Sequence, residues 1–431
     1  MSFPIYTLIY GATVVAAAPY YLWRGRRQGK YHWNLFDRLG LRLPELPRKT
    51  AARIWIHALS LGEVISASEL VGALVGRGYE VCLSTTTRSG YEISRQLLPE
   101  TPHLSSPLDW PPAIARVLTA VDPDLFIVVE TDMWPNLLSG LAVRGVPTVM
   151  VNGRVSPRSL AGYSLLGRQI GRVLDLVAYV GCQTEVDRDR FLKLGAKAER
   201  LVVTGNLKYD RPAPQSGDTV KAQLREESGL PDGLWLVAGS THPGEEEIIL
   251  DIWARLRVRH RGLRLLLAPR NKERFEEVWR LMGNTGLVAA RRSQGRVTGD
   301  LDVFLLDTLG ELDRFYELGD VVFVGKSLPV PGEGGGHNLL EPAARAKPVV
   351  FGPRMDNFPE MARMMVKSGG GRQVRDPAGL ETELEALLAD PERRVDMGAR
   401  ARQSLELHRG ALARSLDLVA KAWANRAADH S

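Results

Sequence analysis

Cysteine is almost missing from this chain: Cys82 and Cys182 are the only two in 431 residues. Both stand inside apolar runs that read as strands, with no histidine or basic partner nearby in sequence. A disulfide framework is therefore excluded, and a reducing, cytoplasmic setting fits. Zinc-finger spacings and basic–aromatic RNA motifs are absent too. The net charge of +6 suggests anionic partners without specifying nucleic acid, and an acidic lipid surface satisfies it equally well. No internal repeat or low-complexity tract interrupts the chain.

Charge itself is absent from Pro4 to Trp23, about the ~20 apolar residues that a bilayer-spanning helix needs. Tyr20, Tyr21 and Trp23 close this run, and Arg24, Arg26, Arg27 and Lys30 follow it. Interfacial aromatics with a basic cluster just beyond them place the rest of the chain on the cytoplasmic side. In a cleaved signal peptide the basic residues would come first. The expectation is an uncleaved anchor, spanning the membrane or lying in its interface, with a basic flank to residue 30.

What is present is the balance of a folded protein, 44% apolar and 25% charged, in a chain long enough for two α/β domains. After the linker at 43–48, short apolar runs alternate with amphipathic stretches. The strands expected are 53–58, 80–85, 125–129, 147–152, 177–183 and 200–204. Helical patterns lie between them, at 64–75, 134–143 and 185–194 among others. The turn formers of 211–218 read as a hinge. A second alternation follows, with strands at 234–238, 263–268, 303–306, 321–324 and 349–351, and helices at 245–257, 272–282 and 357–367. This order predicts parallel sheets covered on both faces. The outline is two doubly wound domains facing a cleft, 31–212 and 213–431, with charged helices closing the C-terminal end.

Ligands of open α/β sheets bind beyond the carboxyl ends of the strands, so the residues after each strand carry the chemistry. Glu63 follows the first strand at a helix entrance, either a first-turn carboxylate favoured by the helix dipole or a general base. Glu130 and Asp132 flank a threonine after the third, where helix capping accounts for Asp132 alone. Lys208, after the last strand of the first half, is a surface charge or a neutraliser of phosphate. In the second half, Ser240 and Thr241 offer hydroxyls and amides, and Arg270 stands at a strand tip. Gly310 permits a tight approach, and the glycines at 334–336 precede Asn338 and Glu341. That last segment reads either as a glycine-rich surface turn or as a nucleotide site. In the second case glycines admit a phosphate and Glu341 holds ribose hydroxyls.

Taken in order, these strings resemble the Kdo (3-deoxy-D-manno-octulosonic acid) transferase family. They are HALSLGE at 57–63, ETDMWPN at 130–136, NGRVS at 152–156, TGNLKYD at 204–210, AGSTHPGEE at 238–246, APRNKERF at 268–275, DTLGEL at 307–312 and GGHNLLEPAARAKPVVFGP at 335–353. The resemblance implies a GT-B glycosyltransferase of two Rossmann-like domains that moves Kdo from CMP-Kdo to lipid A precursor in lipopolysaccharide synthesis. It implies a metal-independent, inverting reaction at the inner membrane, with no cofactor and no nucleic acid. Glu63 matches the general base, and Asp132 and Lys208 match transition-state stabilisers. The positions for CMP are Pro269, Arg270, Leu309, Gly310, Glu311, Asn338, Leu339, Leu340 and Glu341, with Ser240 and Thr241 near the phosphate. Asp132 stands where the family has glutamate, Gly153 where it has alanine, and Asn271 and Lys272 where it tends to have His-Pro. The alternatives are another GT-B enzyme, a UDP-sugar transferase or epimerase, and a silent membrane-bound sensor of nucleotide sugars.

Overall fold

The computed structural model describes residues 3–28, 34–283, 286–332 and 334–429. Runs of Val, Ile, Leu and Phe with almost no polar interruption cannot alternate between core and water, so the strands they form are buried on both faces. Seven parallel strands build the first sheet: β1 (Arg53–His57), β2 (Glu80–Thr85), β3 (His103–Ser105), β4 (Leu125–Val129), β5 (Thr148–Gly153), β6 (Tyr179–Cys182) and β7 (Leu201–Val203). Their order is β3-β2-β1-β4-β5-β6-β7. The period of two then sorts side chains to opposite faces. Trp55, Phe126 and Met150 join Leu118, Leu137 and Leu141 on one face. On the other, Ile54, Ile56, Ile127 and Val149 pack with Leu70 and Leu74.

The second sheet also has seven parallel strands, β8 (Leu234–Thr241), β9 (Leu263–Pro269), β10 (Ala289–Arg291), β11 (Val303–Leu305), β12 (Val321–Val324), β13 (Val349–Phe351) and β14 (Gly371–Gln373). Its order is β10-β11-β9-β8-β12-β13-β14. In each sheet the first strand has its successor on one side and a later strand on the other, which makes a topological switch at β1/β4 and at β8/β12. Every strand expected from the sequence forms. Three more form that were not expected: β3, β10 and β14.

The chain divides into one unit of Met1–Arg211 with His408–Ser431 and a second of Pro212–Leu407. The break falls in the hinge expected at 211–218, but the expected domain 213–431 does not hold to its end. The last helix, Ala411–Asp429, belongs to the first unit, because Leu416, Leu418, Val419 and Ala422 complete the core beneath β1, β4 and β5.

The N-terminal run forms a helix, Pro4–Gln28. Phe3 is buried in the first unit's core, the Thr7 hydroxyl donates to Asn136 Oδ1 at 2.9 Å, and Tyr10 Oη accepts from the Asp109 amide at 3.2 Å. Ile5, Leu8, Ile9 and Val15 remain exposed. Among the described residues no helix is long and apolar enough to cross a membrane. Lys30 lies outside the described residues, as do the side chains of Tyr20, Tyr21, Trp23, Arg24, Arg26 and Arg27.

Candidate active site

In the first unit the acids gather where β1 and β4 end. Ser60 is the N-cap of the helix Leu61–Gly76, and Glu63 sits three residues into it. The Glu63 carboxylate reaches back to accept the Leu59 amide at 2.6 Å and the Ser60 hydroxyl at 2.9 Å, a variant of the capping box. Both readings of Glu63 are thus compatible, since the cap fixes the carboxylate beside its neighbours. Burial first, then the charge of Glu130, pushes its carboxyl up to about 7; Ser60 and Leu59 oppose this and Asp132 adds to it. A base with that affinity for protons suits general-base chemistry near neutral pH.

Glu130 adopts φ 61°, a left-handed conformation that is uncommon outside glycine, at the first residue after β4. Its Oε1 lies 3.7 Å from Lys208 Nζ. Lys208 is positioned from two directions. Asn152, fully buried at the end of β5 with φ 58°, accepts the Leu207 amide through Oδ1 at 3.1 Å, and Asn206 Oδ1 accepts the Lys208 amide at 3.0 Å. The polar strings after β5 and β7 are therefore one assembly.

Asp132 has a different partner from Lys208. Its Oδ2 lies 3.3 Å from His57 Nε2, and neither atom has another hydrogen-bond partner among the described residues. Behind it, Trp55 Nε1–H donates to Ser84 Oγ at 2.8 Å, and Ser84 Oγ lies 2.9 Å from His57 Nδ1. The Asp132 carboxylate facing Nε2 favours the His57 hydrogen on that nitrogen, with Nδ1 left to face the Ser84 hydroxyl, which also reaches the Ile56 carbonyl at 3.5 Å. His57 and the pairing role of Glu130 were missed in the sequence. The signal was there, since each stands at one end of a string whose other residues were singled out.

In the second unit, Pro269 ends β9, and the Arg270 amide donates to the Thr241 carbonyl at 3.1 Å, joining two strand tips. Ser240 takes φ 55° and Thr241 is buried. Asn338 Nδ2 donates to Glu341 Oε1 at 3.1 Å, while its Oδ1 accepts the Leu340 amide at 3.1 Å. Gly310 has φ 85°, and Leu309 is exposed beside it. Glu311 accepts from Arg292 at 3.0 Å, which holds its carboxyl below the usual range.

Packing accounts for two features of this unit. Leu339 and Leu340 are buried, and the Leu339 amide faces Met361 Sδ at 3.2 Å, so their side chains pack into the core. The glycines at 334–336 also have a packing cause. A Cβ on Gly335 would meet Asn357 Nδ2 at 2.3 Å, and one on Gly336 would meet Met355 Sδ at 2.3 Å. Both also hold positive φ, 123° at Gly335 and 71° at Gly336, which favours glycine there whether or not a phosphate approaches. The helix after them is only Leu340–Ala344. No group of three or more His, Cys, Asp and Glu side chains among the described residues is arranged to hold a metal ion.

Residues 34–211 match the family model described as 3-deoxy-D-manno-octulosonic-acid transferase (kdotransferase). The 3-deoxy-D-manno-octulosonic acid transferase of Haemophilus influenzae is 37% identical over 376 residues, covering 85% of this chain and 86% of its own. That of Bordetella pertussis is 34% identical over 416 residues, covering 93% and 94%. Among solved structures, the UDP-GlcNAc 2-epimerase of Neisseria meningitidis bound to UDP-GlcNAc superposes with a TM-score of 0.59 at 13% identity, covering 86% of this chain and 100% of the other, a likeness of fold alone.

Proposed function

The chain belongs to the 3-deoxy-D-manno-octulosonic acid transferase family, and from that premise we propose that it moves Kdo from CMP-Kdo to a hydroxyl of lipid A precursor. Membership makes it a glycosyltransferase and displaces the UDP-sugar enzyme and the silent sensor. The observation that carries the mechanism is the Glu63 carboxylate, buried, capped and raised to about 7 beside Glu130 and Asp132. Glu63 takes the proton of the acceptor hydroxyl as its oxygen attacks the anomeric carbon of the sugar. The bond from that carbon to the phosphate oxygen breaks, and CMP leaves with the electron pair. Attack opposite the leaving group inverts the centre. Lys208 and Asp132, held by Glu130 and His57, stabilise the charges that develop.

Arg270 neutralises the phosphate together with the amides and hydroxyls of Ser240 and Thr241, without a metal ion or cofactor. Pro269, the turn Leu309-Gly310-Glu311, the backbone of Leu339 and Leu340, and the pair Asn338–Glu341 surround the nucleoside. The acceptor is a lipid, and the N-terminal helix supports delivery from an anionic inner-membrane surface on its cytoplasmic side. Its exposed Leu8 and Val15 line an open apolar groove of about 1140 Å³ against Ile114, Leu118 and Val143. That geometry favours a helix lying in the interface.

The test is incubation with a CMP-Kdo source and tetraacylated lipid A precursor, followed by mass spectrometry of the lipid. The wild-type chain adds the mass of one or more Kdo residues, and Glu63→Ala adds none while still binding CMP. Transfer that survives Glu63→Ala rules out its role as base.

A further inference from the structure

Two histidines that the roles above leave unused meet at the switch point of the second sheet. His242 follows β8, and His337 lies on the loop that follows β12. Their Nε2 atoms are 3.0 Å apart, with the rings stacked at 5.2 Å between centroids. One hydrogen is shared across that contact, so the ring that accepts through Nε2 carries its own hydrogen on Nδ1. Neither Nδ1 has a protein partner among the described residues. The pair therefore offers one Nδ1–H donor and, on the other ring, one Nδ1 acceptor.

The surroundings are cationic. Burial, followed by the charges of Lys326, Arg274 and Arg270, pushes His242 down to about 4. Burial, His242, Arg270 and Lys326 push His337 to about 3. Arg274 is already paired, with Glu246 at 2.6 Å and Glu277 at 2.9 Å. Arg270 and Lys326 make no ion pair among the described residues. A second nearby carboxylate, Glu245, is taken up by backbone. It accepts the amides of His242 at 3.0 Å, Lys326 at 2.7 Å, Ser327 at 2.9 Å and Leu328 at 3.0 Å. This locks the two loops together and holds Lys326 at φ 58°. Such a conformation persists only where its surroundings enforce it.

Two cations without an ion pair among the described residues, and a separate N–H donor, suit a second anion beside the phosphate. CMP-Kdo carries two anions on one carbon, the phosphate that leaves and the carboxylate that stays. We propose that Lys326 and the His242–His337 pair form a carboxylate subsite that grips the acid group of the sugar, while Arg270 faces the phosphate. The assignment rests on the donor reading above and adds a determinant of specificity to it: sugars without a carboxylate next to the anomeric carbon leave Lys326 uncompensated.

Steady-state kinetics with CMP-Kdo, and inhibition by CMP and by free Kdo, test this on the full chain. Lys326→Met and His337→Asn are each expected to raise KM for CMP-Kdo by roughly 10- to 100-fold, the range for losing a charge-assisted hydrogen bond. The inhibition constant of CMP stays within about twofold, which also reports a folded nucleotide site. Inhibition by free Kdo is lost, and Lys326→Arg restores part of the KM. CMP binding that weakens in parallel would make Lys326 a phosphate ligand and overturn the subsite, as would an unchanged KM. Failure of the donor reading is visible separately, as absence of CMP-Kdo turnover by the wild-type chain, and it removes the subsite with it.

Discussion

Glu63 is held by its cap in a place that disfavours its charge. Its carboxyl is raised from 4.5 to about 7 on folding, so the folded chain binds this proton more tightly than the unfolded one. The stability this contributes is complete below the ordinary value and is lost as pH rises through about 7. Glu63→Gln should therefore melt above the wild type at pH 8, by up to ~3 kcal/mol, with the gap closing towards pH 5. Equal melting at both pH values would mean a solvated carboxylate. For the same reason kcat/KM of the wild type should fall as pH drops through about 7. His57 gives a second residue-scale prediction. Glutamine can place a donor near the position of Nε2 and asparagine cannot, so His57→Gln should keep most of kcat and His57→Asn should lose roughly 10-fold or more at similar thermal stability. Equal rates for the two would leave His57 with a packing role only. The sequence exposed Glu63, Asp132 and Lys208 because polar residues directly after apolar strands have few structural excuses. Who pairs with whom was hidden, because the left-handed turn at Glu130 decides that Glu130, and not Asp132, meets Lys208.

Strands and helices were legible to different depths. The central strands announce themselves as apolar runs, whereas β3, β10 and β14 are three residues each and stand at sheet edges. His103 and Ser105 in β3, Arg291 in β10 and Arg372 and Gln373 in β14 dilute the apolar signal where only one neighbouring strand is available. The glycine loop was legible as a loop, but its packing was not, since the side chains that close over Gly335 and Gly336 lie about twenty residues downstream at Met355 and Asn357. Gly239 in β8 is the same kind of position. A Cβ there would meet Tyr316 Oη at 2.2 Å, and Tyr316 is fully buried. Gly239→Ala should destabilise the second unit by about 2–4 kcal/mol. Adding Tyr316→Leu should cost less than the two single changes summed, as a double-mutant cycle by thermal unfolding would show. Simple additivity would mean that the two residues do not touch.

The whole chain carries two parallel seven-stranded sheets, and the presence of two such sheets was readable from the alternation of patterns. The return of the last helix was not, because amphipathic helices declare an apolar face without declaring what they cover. A chain ending at Leu407 should keep the melting transition of the second unit and lower that of the first by several degrees or more, since Leu416, Leu418, Val419 and Ala422 would leave its core. Scanning calorimetry separates the two, and an unshifted first transition would contradict the division. That return also sets an order in time. The second unit is one uninterrupted stretch, complete as soon as Leu407 has left the ribosome, whereas the first unit begins earlier and closes last. At ~5–20 residues per second the interval between Arg211 and His408 is roughly 10–40 s. Through it the half-made first unit waits with an apolar face uncovered, and a chaperone has a defined window in which to hold it.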